Sequence, residues 1–198
     1  LKDENYVKNV TAAYRVALDR LIDTREDVVH ASSGRCRFAF TPDPERSFSR
    51  GQSDHFLITP RNAVAEIRTP KSIGKRLGRV VAVAAGSFTL DGEEPVHNGD
   101  GLCFFHPQTG LVGLKVNRVE GRTVHPKDGM APLRLSKGTE VYRNADNHFA
   151  KLLHHSTRCR KIAVQMLLEE IADGLQLTLT DEDGIVSITT LACARGQA

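Results

Sequence analysis

The chain has 198 residues, a length that fits one domain with a good core or two small domains. Its composition, 40% hydrophobic and 26% charged, is typical of globular proteins, and no apolar run reaches the length of a membrane span. The formal net charge of +3 is too small to indicate a nucleic-acid partner by itself.

The four cysteines, Cys36, Cys103, Cys159 and Cys193, are widely separated and show no metal-site spacing. This pattern predicts free thiols in a reducing compartment and therefore a cytoplasmic protein. Cys36 and Cys159 each stand between two arginines, which would lower a thiol pKa, although an ordinary unreactive thiol is the favoured interpretation. There is no signal peptide and no initiator Met, so we expect a piece of a longer protein.

The first segment, residues 1–23, is expected to be a helix at the end of a preceding catalytic domain. Its apolar residues recur on one helical face, and Asp3 is a plausible N-cap. An amphipathic helix of this kind needs a partner, either in this chain or in that preceding domain.

Residues 24–68 are expected to form an extended linker or arm. Arg37–Phe40 predicts a short strand that the following Pro42 and Pro44 end, because neither proline can donate to a sheet. Further along the arm, Phe48, Phe56 and Arg50 suit stacking on bases or a ligand. They equally suit anchoring the arm to the following domain, and we favour that alternative.

A basic segment follows, which contains six positive side chains between Arg61 and Val80 and a single acid, Glu66. Such a segment is either a solvated face, an intramolecular ion-pair network or a surface that contacts phosphates. The candidate nucleic-acid-binding residues are Arg50, Arg61, Arg68, Lys71, Lys75, Arg76 and Arg79.

Residues 69–143 predict a small antiparallel β-barrel. Six short apolar runs are separated by turn residues, with no helical pattern between them, and Val80, Val81 and Val83 lie in the first run. The predicted strands are Arg79–Ala84, Ser87–Leu90, Asp100–Phe105, Leu111–Val119, Thr123–His125 and Gly138–Tyr142. We therefore expect a mainly β protein, with this barrel preceded by a helix and followed by a partial α+β lobe over residues 144–198.

In that lobe, residues 144–155 predict a helix capped by Asn144, and residues 160–168 alternate as one strand. Two apolar runs, Gly174–Thr180 and Ile185–Leu191, predict a β-hairpin around a polar turn.

No catalytic, metal or cofactor site is predicted in this chain. The glycine-rich stretch 98–102 is not followed by a helix, so it is a poor phosphate loop. Residues 181–184 lack the remaining ligands of a calcium loop. The adjacent His154 and His155 point in different directions on a helix and cannot pair as metal ligands.

Several stretches together resemble the collagenase-like domain of the larger U-32 peptidase-type proteins. In order along the chain, these are Tyr6-Val7, Ala13–Asp19, Ser47–Gly51, Thr69–Gly74, Leu77–Val80, Gly99–Leu102 with Phe104, Glu140–Asp146, Arg160–Val164 and Leu177–Gly184. The resemblance spans nearly the whole chain, although each motif is short.

The resemblance implies a parent protein whose N-terminal (β/α)-barrel holds a cysteine-rich catalytic centre. Some members are called collagenase-like proteases, and others are similar to enzymes that hydroxylate a pyrimidine of ribosomal or transfer RNA. The family's Gly-Ser-Cys signature is absent here, so no catalytic residue is carried over. The predicted barrel is also similar to the second-domain barrels of translation factors, which commonly contact RNA or the ribosome.

We therefore expect an accessory region without catalytic activity of its own, which positions structured RNA for the parent's catalytic domain. The alternatives are a scaffold that supports that domain or mediates homodimerisation, and a substrate-binding domain of a protease. No cofactor and no membrane partner is expected.

Overall fold

The computed structural model describes residues 2–53, 55–58, 66–157 and 159–193. Helix α1 spans Glu4–Asp23 and helix α2 spans Asn147–His155. The strands are β1 (Arg35–Arg37), β2 (Lys75–Val83), β3 (Phe88–Leu90), β4 (Gly101–His106), β5 (Gly110–Glu120), β6 (Thr123–Pro126), β7 (Glu140–Ala145), β8 (Cys159–Lys161), β9 (Val164–Ile171), β10 (Gly174–Asp181) and β11 (Val186–Ala192). Neither helix of this described part has the length and apolar character that crossing a membrane requires.

The chain divides into two compact units. The first comprises residues 1–14 and 40–156, and the second comprises residues 15–39 and 157–198. The predicted boundaries after residues 23, 68 and 143 stay predictions.

The first unit is built on a closed barrel with the strand order β2-β3-β6-β5-β4-β7, in which all neighbours are antiparallel. This confirms the predicted mainly β fold with a small barrel. Strand β2 bridges two parts of the barrel, because it pairs with β7 at Lys75↔Arg143 and with β3 at Val80↔Leu90. The register shifts between Arg76 and Gly78, where Gly78 has a φ of +144°.

The barrel core consists of inward-facing apolar side chains from all six strands and from the connection that precedes β7. The buried members are Leu77, Val80, Phe88, Leu90, Leu102, Phe104, Val116, Val124, Met130, Leu133, Leu135 and Val141. The sequence produces this core by placing an apolar residue at alternate positions of each strand. The alternation of apolar residues therefore predicted most of the strand positions that the structure shows.

Both helices contribute to the first unit. Asn9 of α1 is fully buried, and its side chain donates to the Asp43 carbonyl at 2.6 Å and accepts from the Asp43 amide at 3.0 Å. In α2, Phe149 is buried, and its ring meets Phe40 edge-to-face at 6.1 Å. As predicted for α1, Asp3 accepts from a first-turn amide, that of Tyr6, at 2.8 Å.

The predicted cap of α2 is wrong. Strand β7 continues to Ala145, so Asn144 belongs to the strand, and Asp146 caps the helix by accepting from the Phe149 amide at 2.8 Å.

In the second unit, β1 pairs with β8, and β9, β10 and β11 form a three-stranded antiparallel sheet. The predicted hairpin is confirmed as β10 and β11. Two predictions are wrong in detail: the strand expected at residues 37–40 lies at Arg35–Arg37, and the strand expected at 160–168 is split into β8 and β9. Large apolar side chains on β9 and β11 are exposed.

Candidate nucleic-acid interface

The predicted basic residues fall into two groups in the structure, those held in ion pairs and those that are not. Arg61 lies outside the described residues. Arg68 donates to both carboxylate oxygens of Glu66, at 2.9 and 2.6 Å, and its guanidinium lies 4.0 Å from the Phe105 ring centroid. The hydrogen bonds from Arg68 lower the pKa of Glu66 to about 2.

Lys75 is held between two carboxylates. Its Nζ lies 2.8 Å from Asp43 Oδ2 and 2.6 Å from Glu94 Oε1. Burial alone would lower the pKa of Lys75, but the bonds to these carboxylates outweigh it and raise the pKa. The charge of Lys75 is therefore neutralised by carboxylates of the barrel unit itself.

Arg76 and Arg79 share one carboxylate. Glu140 Oε1 lies 3.3 Å from Arg76 Nη2 and 3.2 Å from Arg79 Nη2. The Tyr142 hydroxyl also donates to Glu140, and this bond, followed by that from Arg79, lowers the pKa of the glutamate. All three charges are well exposed, so these contacts are weak and open to competition.

Arg50 and Lys71 differ from the others, because neither side chain forms an ion pair with any carboxylate that the structure describes. The backbone brings them together: the amides of Ile73 and Gly74 donate to the Ser49 carbonyl at 2.8 and 3.0 Å. The Ser49 amide in turn donates to Ser72 Oγ at 3.1 Å. Two exposed cations that no described carboxylate compensates thus stand on adjacent, hydrogen-bonded segments.

A cleft of 320 Å³ opens beside these two segments. Phe48 and Ser72, which line it, come from the same segments as Arg50 and Lys71. The end of β7 and the start of α2 also line it, including Asn144 and Asn147. The guanidinium of Arg50 lies 5.8 Å from the Phe48 ring centroid, which places this cation next to the cleft.

A buried ion network lies at the base of the cleft. Arg143, whose side chain is 1% exposed, places Nη2 3.1 Å from Asp146 Oδ2 and Nη1 3.7 Å from Asp100 Oδ2. Arg46 adds a second cation at 2.8 Å from Asp146. Burial alone would raise the pKa of Asp146, but the bonds from Arg46 and the Phe149 amide, with the charge of Arg143, hold it below its usual value.

Potential metal ligands occur in this network, where His97, Asp100 and Asp146 bring ligand atoms within 4.8 Å of one another. Arg143 already supplies positive charge to both carboxylates. Asp100 also accepts from the amides of His97 and Asn147, each at 3.0 Å. Both carboxylates are therefore committed to protein partners, and the arrangement is that of an ion network around a guanidinium. His97 Nδ1 is buried beside it and has no hydrogen-bond partner among the described residues.

Sequence reasoning missed the network and the asparagines. Arg143 was recognisable only as a charge two residues after Val141, at a position that shares the inward face of β7. Its partners Asp100 and Asp146 stand in different elements, and nothing in the sequence links them.

Fold and site together define a small β-barrel module whose cleft lies beside two cations, Arg50 and Lys71, that pair with no described carboxylate. Over 194 residues the chain is 37% identical to the 23S rRNA 5-hydroxycytidine C2501 synthase of Escherichia coli (strain K12). The match covers 95% of this chain and 29% of that relative. No protein-family profile matches the chain, and no solved structure matches it.

The match supports the predicted relationship to an enzyme of ribosomal RNA modification. It gives no support to the protease alternative, because the relative's name describes synthesis of a modified nucleoside. This chain spans less than a third of that relative's length.

Proposed function

We propose that this chain is a non-catalytic accessory region of a U-32-type RNA-modifying protein of the cytoplasm, and that it positions structured ribosomal RNA for a catalytic domain elsewhere in the parent. The proposal is carried by the 37% identity to an rRNA-modifying relative along 95% of the chain. Arg50 and Lys71 are the phosphate contacts, since their charges have no partner among the described carboxylates. Phosphate contacts position a nucleic acid without reading its sequence, which suits a docking region.

The described chemistry supports a non-catalytic role. Cys103 is buried, and burial raises the pKa of its thiol to about 11, so it stays protonated at neutral pH and is a poor nucleophile. Of the two carboxylates that line the cleft, Asp146 is held in ion pairs with Arg46 and Arg143, and Asp3 accepts from the Tyr6 amide.

A scaffold role is the second candidate, and the ion pairs favour it. Four of the predicted RNA contacts, Arg68, Lys75, Arg76 and Arg79, are bound to carboxylates of the chain itself. Those residues then stabilise the module, and RNA binding depends on Arg50 and Lys71, which pair with no carboxylate in the described part of the chain.

The salt dependence of RNA binding tests the proposal. Each phosphate contact on single-stranded RNA contributes about −0.7 to the slope of log affinity against log salt. Replacing both cations, in the variant Arg50→Ala/Lys71→Ala, should therefore flatten the slope by about 1.4. Binding of fragments of 23S ribosomal RNA, titrated with potassium chloride, measures this difference.

The matched control is Arg134→Ala/Lys137→Ala. Both residues are exposed and lie on the connection that enters β7 at the strand end away from Asn144. This control removes the same charge and should leave the slope unchanged. An equal slope in the wild type and both double variants would contradict the RNA-binding proposal and favour the scaffold role.

A further inference from the structure

Three asparagines that line the cleft, Asn5, Asn144 and Asn147, have side chains without a hydrogen bond to any described residue. Each amide presents a donor and an acceptor side by side. The wall of the cleft therefore offers paired donors and acceptors to a ligand whose edge carries the same groups.

Phe48 supplies a flat apolar surface in the same cleft. Its ring is half-buried, and the nearby guanidinium of Arg50 has no carboxylate partner among the described residues. An aromatic ring beside such a cation suits a planar group that is attached to an anion.

The charges inside the cleft disfavour the anion itself. Two carboxylates, Asp3 and Asp146, line it against one cation, Arg46, which is already paired with Asp146. These carboxylates would repel a phosphate in the cleft, whereas a neutral base carries no charge for them to repel. The phosphates belong outside, at Arg50 and Lys71.

The volume sets the size of the ligand. Sites for small molecules occupy about 300–1,000 Å³, and this cleft, at 320 Å³, is at the lower end. It suits one nucleotide and excludes a folded helix or a duplex.

We infer that the cleft holds the base of one unpaired nucleotide of the bound RNA, stacked on Phe48 and hydrogen-bonded by Asn144 and Asn147. The flanking phosphates contact Arg50 and Lys71. Single-stranded RNA is recognised in this way elsewhere, with an unstacked base on an aromatic ring and its edge bonded to polar side chains. This inference rests on the proposed function and adds to it the feature of RNA that is bound.

The test compares two RNAs that share their phosphates and differ in their bases. One is a short fluorescein-labelled single-stranded oligocytidylate, and the other is the same strand with abasic sites at its centre. Stacking of one base contributes enough that its loss should weaken binding to the full 198-residue chain by about 5- to 150-fold. Fluorescence anisotropy measures both affinities.

Substitution of Phe48, combined with removal of the base, makes a double-mutant cycle between the ring and the base. Phe48→Ala should weaken binding of the intact strand by a similar factor and leave the abasic strand unaffected, since the partner of the ring is then already absent. Phe48→Tyr keeps the ring and should keep the affinity, which separates stacking from a general loss of folding. Asn147→Ala, at an exposed position, should weaken only the intact strand.

The matched control is Phe105→Ala. Phe105 is also half-buried and also has an arginine over its ring, Arg68 at 4.0 Å, but it does not line the cleft. This variant should bind both strands as the wild type does. Equal, salt-dependent binding of both strands by the wild type would overturn the base-binding inference and leave the proposed function standing. Failure to bind either strand would overturn both.

Discussion

At the scale of single residues, Arg143 is a charged side chain that is almost fully buried in the barrel unit. It occupies an inward position of β7, and its guanidinium donates to the Pro95 carbonyl at 2.8 Å while facing Asp100 and Asp146. A buried ion pair contributes little net stability when intact, because desolvation offsets the attraction, but removal of one partner leaves an uncompensated charge.

Replacing this guanidinium should therefore be costly. We expect Arg143→Met to lower the free energy of unfolding by about 3–5 kcal/mol, since Asp100 then stays buried without its guanidinium partner and Asp146 keeps only Arg46. Urea denaturation followed by circular dichroism measures the change. Arg79→Met is the matched control, because its pair with Glu140 is exposed and should cost at most about 1 kcal/mol. Equal losses in the two variants would contradict this account.

The depressed pKa of Asp146 predicts a pH dependence. A carboxyl whose folded-state pKa lies below its unfolded value stabilises the protein above the unfolded value, and this contribution is lost as pH falls through the folded pKa. The free energy of unfolding should therefore fall below about pH 4, the unfolded value for Asp.

In Asp146→Asn this acid-dependent fall should be smaller, and stability at pH 7 lower. Asparagine still caps a helix, so the variant isolates the charge from the cap. Denaturation at a series of pH values tests this, with the exposed Asp128→Asn as the control that should follow the wild type. A profile of Asp146→Asn that is identical to the wild type would show that Asp146 does not cause the acid sensitivity.

The candidate site shows what sequence cannot supply at this scale. The basic run around Lys75 was visible as a charge excess, but the partners that neutralise it were not. Asp43 stands 32 residues before Lys75, and Glu94 comes from the connection between β3 and β4. Only folding identifies Arg50 and Lys71 as the candidate residues that no described carboxylate pairs, because ion pairing is decided by distance in space.

At the scale of elements, strand β2 depends on glycines that allow close backbone approach. Gly74, just before β2, has a φ of +67°, and a Cβ there would lie 1.9 Å from the Arg143 carbonyl oxygen. A side chain at this position would force β2 away from β7.

Gly74→Ala should therefore lower the free energy of unfolding by more than the roughly 1–3 kcal/mol of an unfavourable φ alone. Thermal and urea denaturation measure it. The control is Gly86→Ala, in the turn after β2, where no atom lies within 4 Å of the added carbon. That variant should stay within about 0.5 kcal/mol of the wild type. A Gly74→Ala protein as stable as Gly86→Ala would show that the backbone there yields easily.

The elements also show which patterns predict structure. All six barrel strands were predictable, because each carries alternating apolar residues between turn signals, and the 174–191 hairpin was predictable for the same reason. The boundary between β7 and α2 was not. Asn144 and Asp146 are both residue types that cap helices. Gly101 and Leu102 of β4 pair with Ala145 and Arg143, and this pairing extends β7 past Asn144. Asp146 is therefore the residue that caps α2.

At the scale of the whole molecule, the two units differ in how they bury apolar surface. The barrel unit encloses a core of fully buried side chains such as Leu102 and Phe104. In the second unit, β9 and β11 are exposed along nearly their whole length, and most of β10 is half-buried. The ladders of the three-stranded sheet are free of register shifts, whereas the barrel contains several, so side-chain burial does not follow from the regularity of the backbone pairing.

Hydrogen exchange should reveal this difference in strands β4 and β10. Each has an antiparallel neighbour on both sides, over Gly101–Cys103 in β4 and over Gly174–Thr180 in β10, but those residues of β4 are more deeply buried than β10. We expect β4 amides to exchange only through global opening of the barrel, and β10 amides to exchange faster through local opening. Leu102→Ala, which removes a fully buried side chain at a cost of about 2–5 kcal/mol, should speed exchange in β4 and leave β10 unchanged. Equal protection of both strands, with an equal response to Leu102→Ala, would show that the two units open as one.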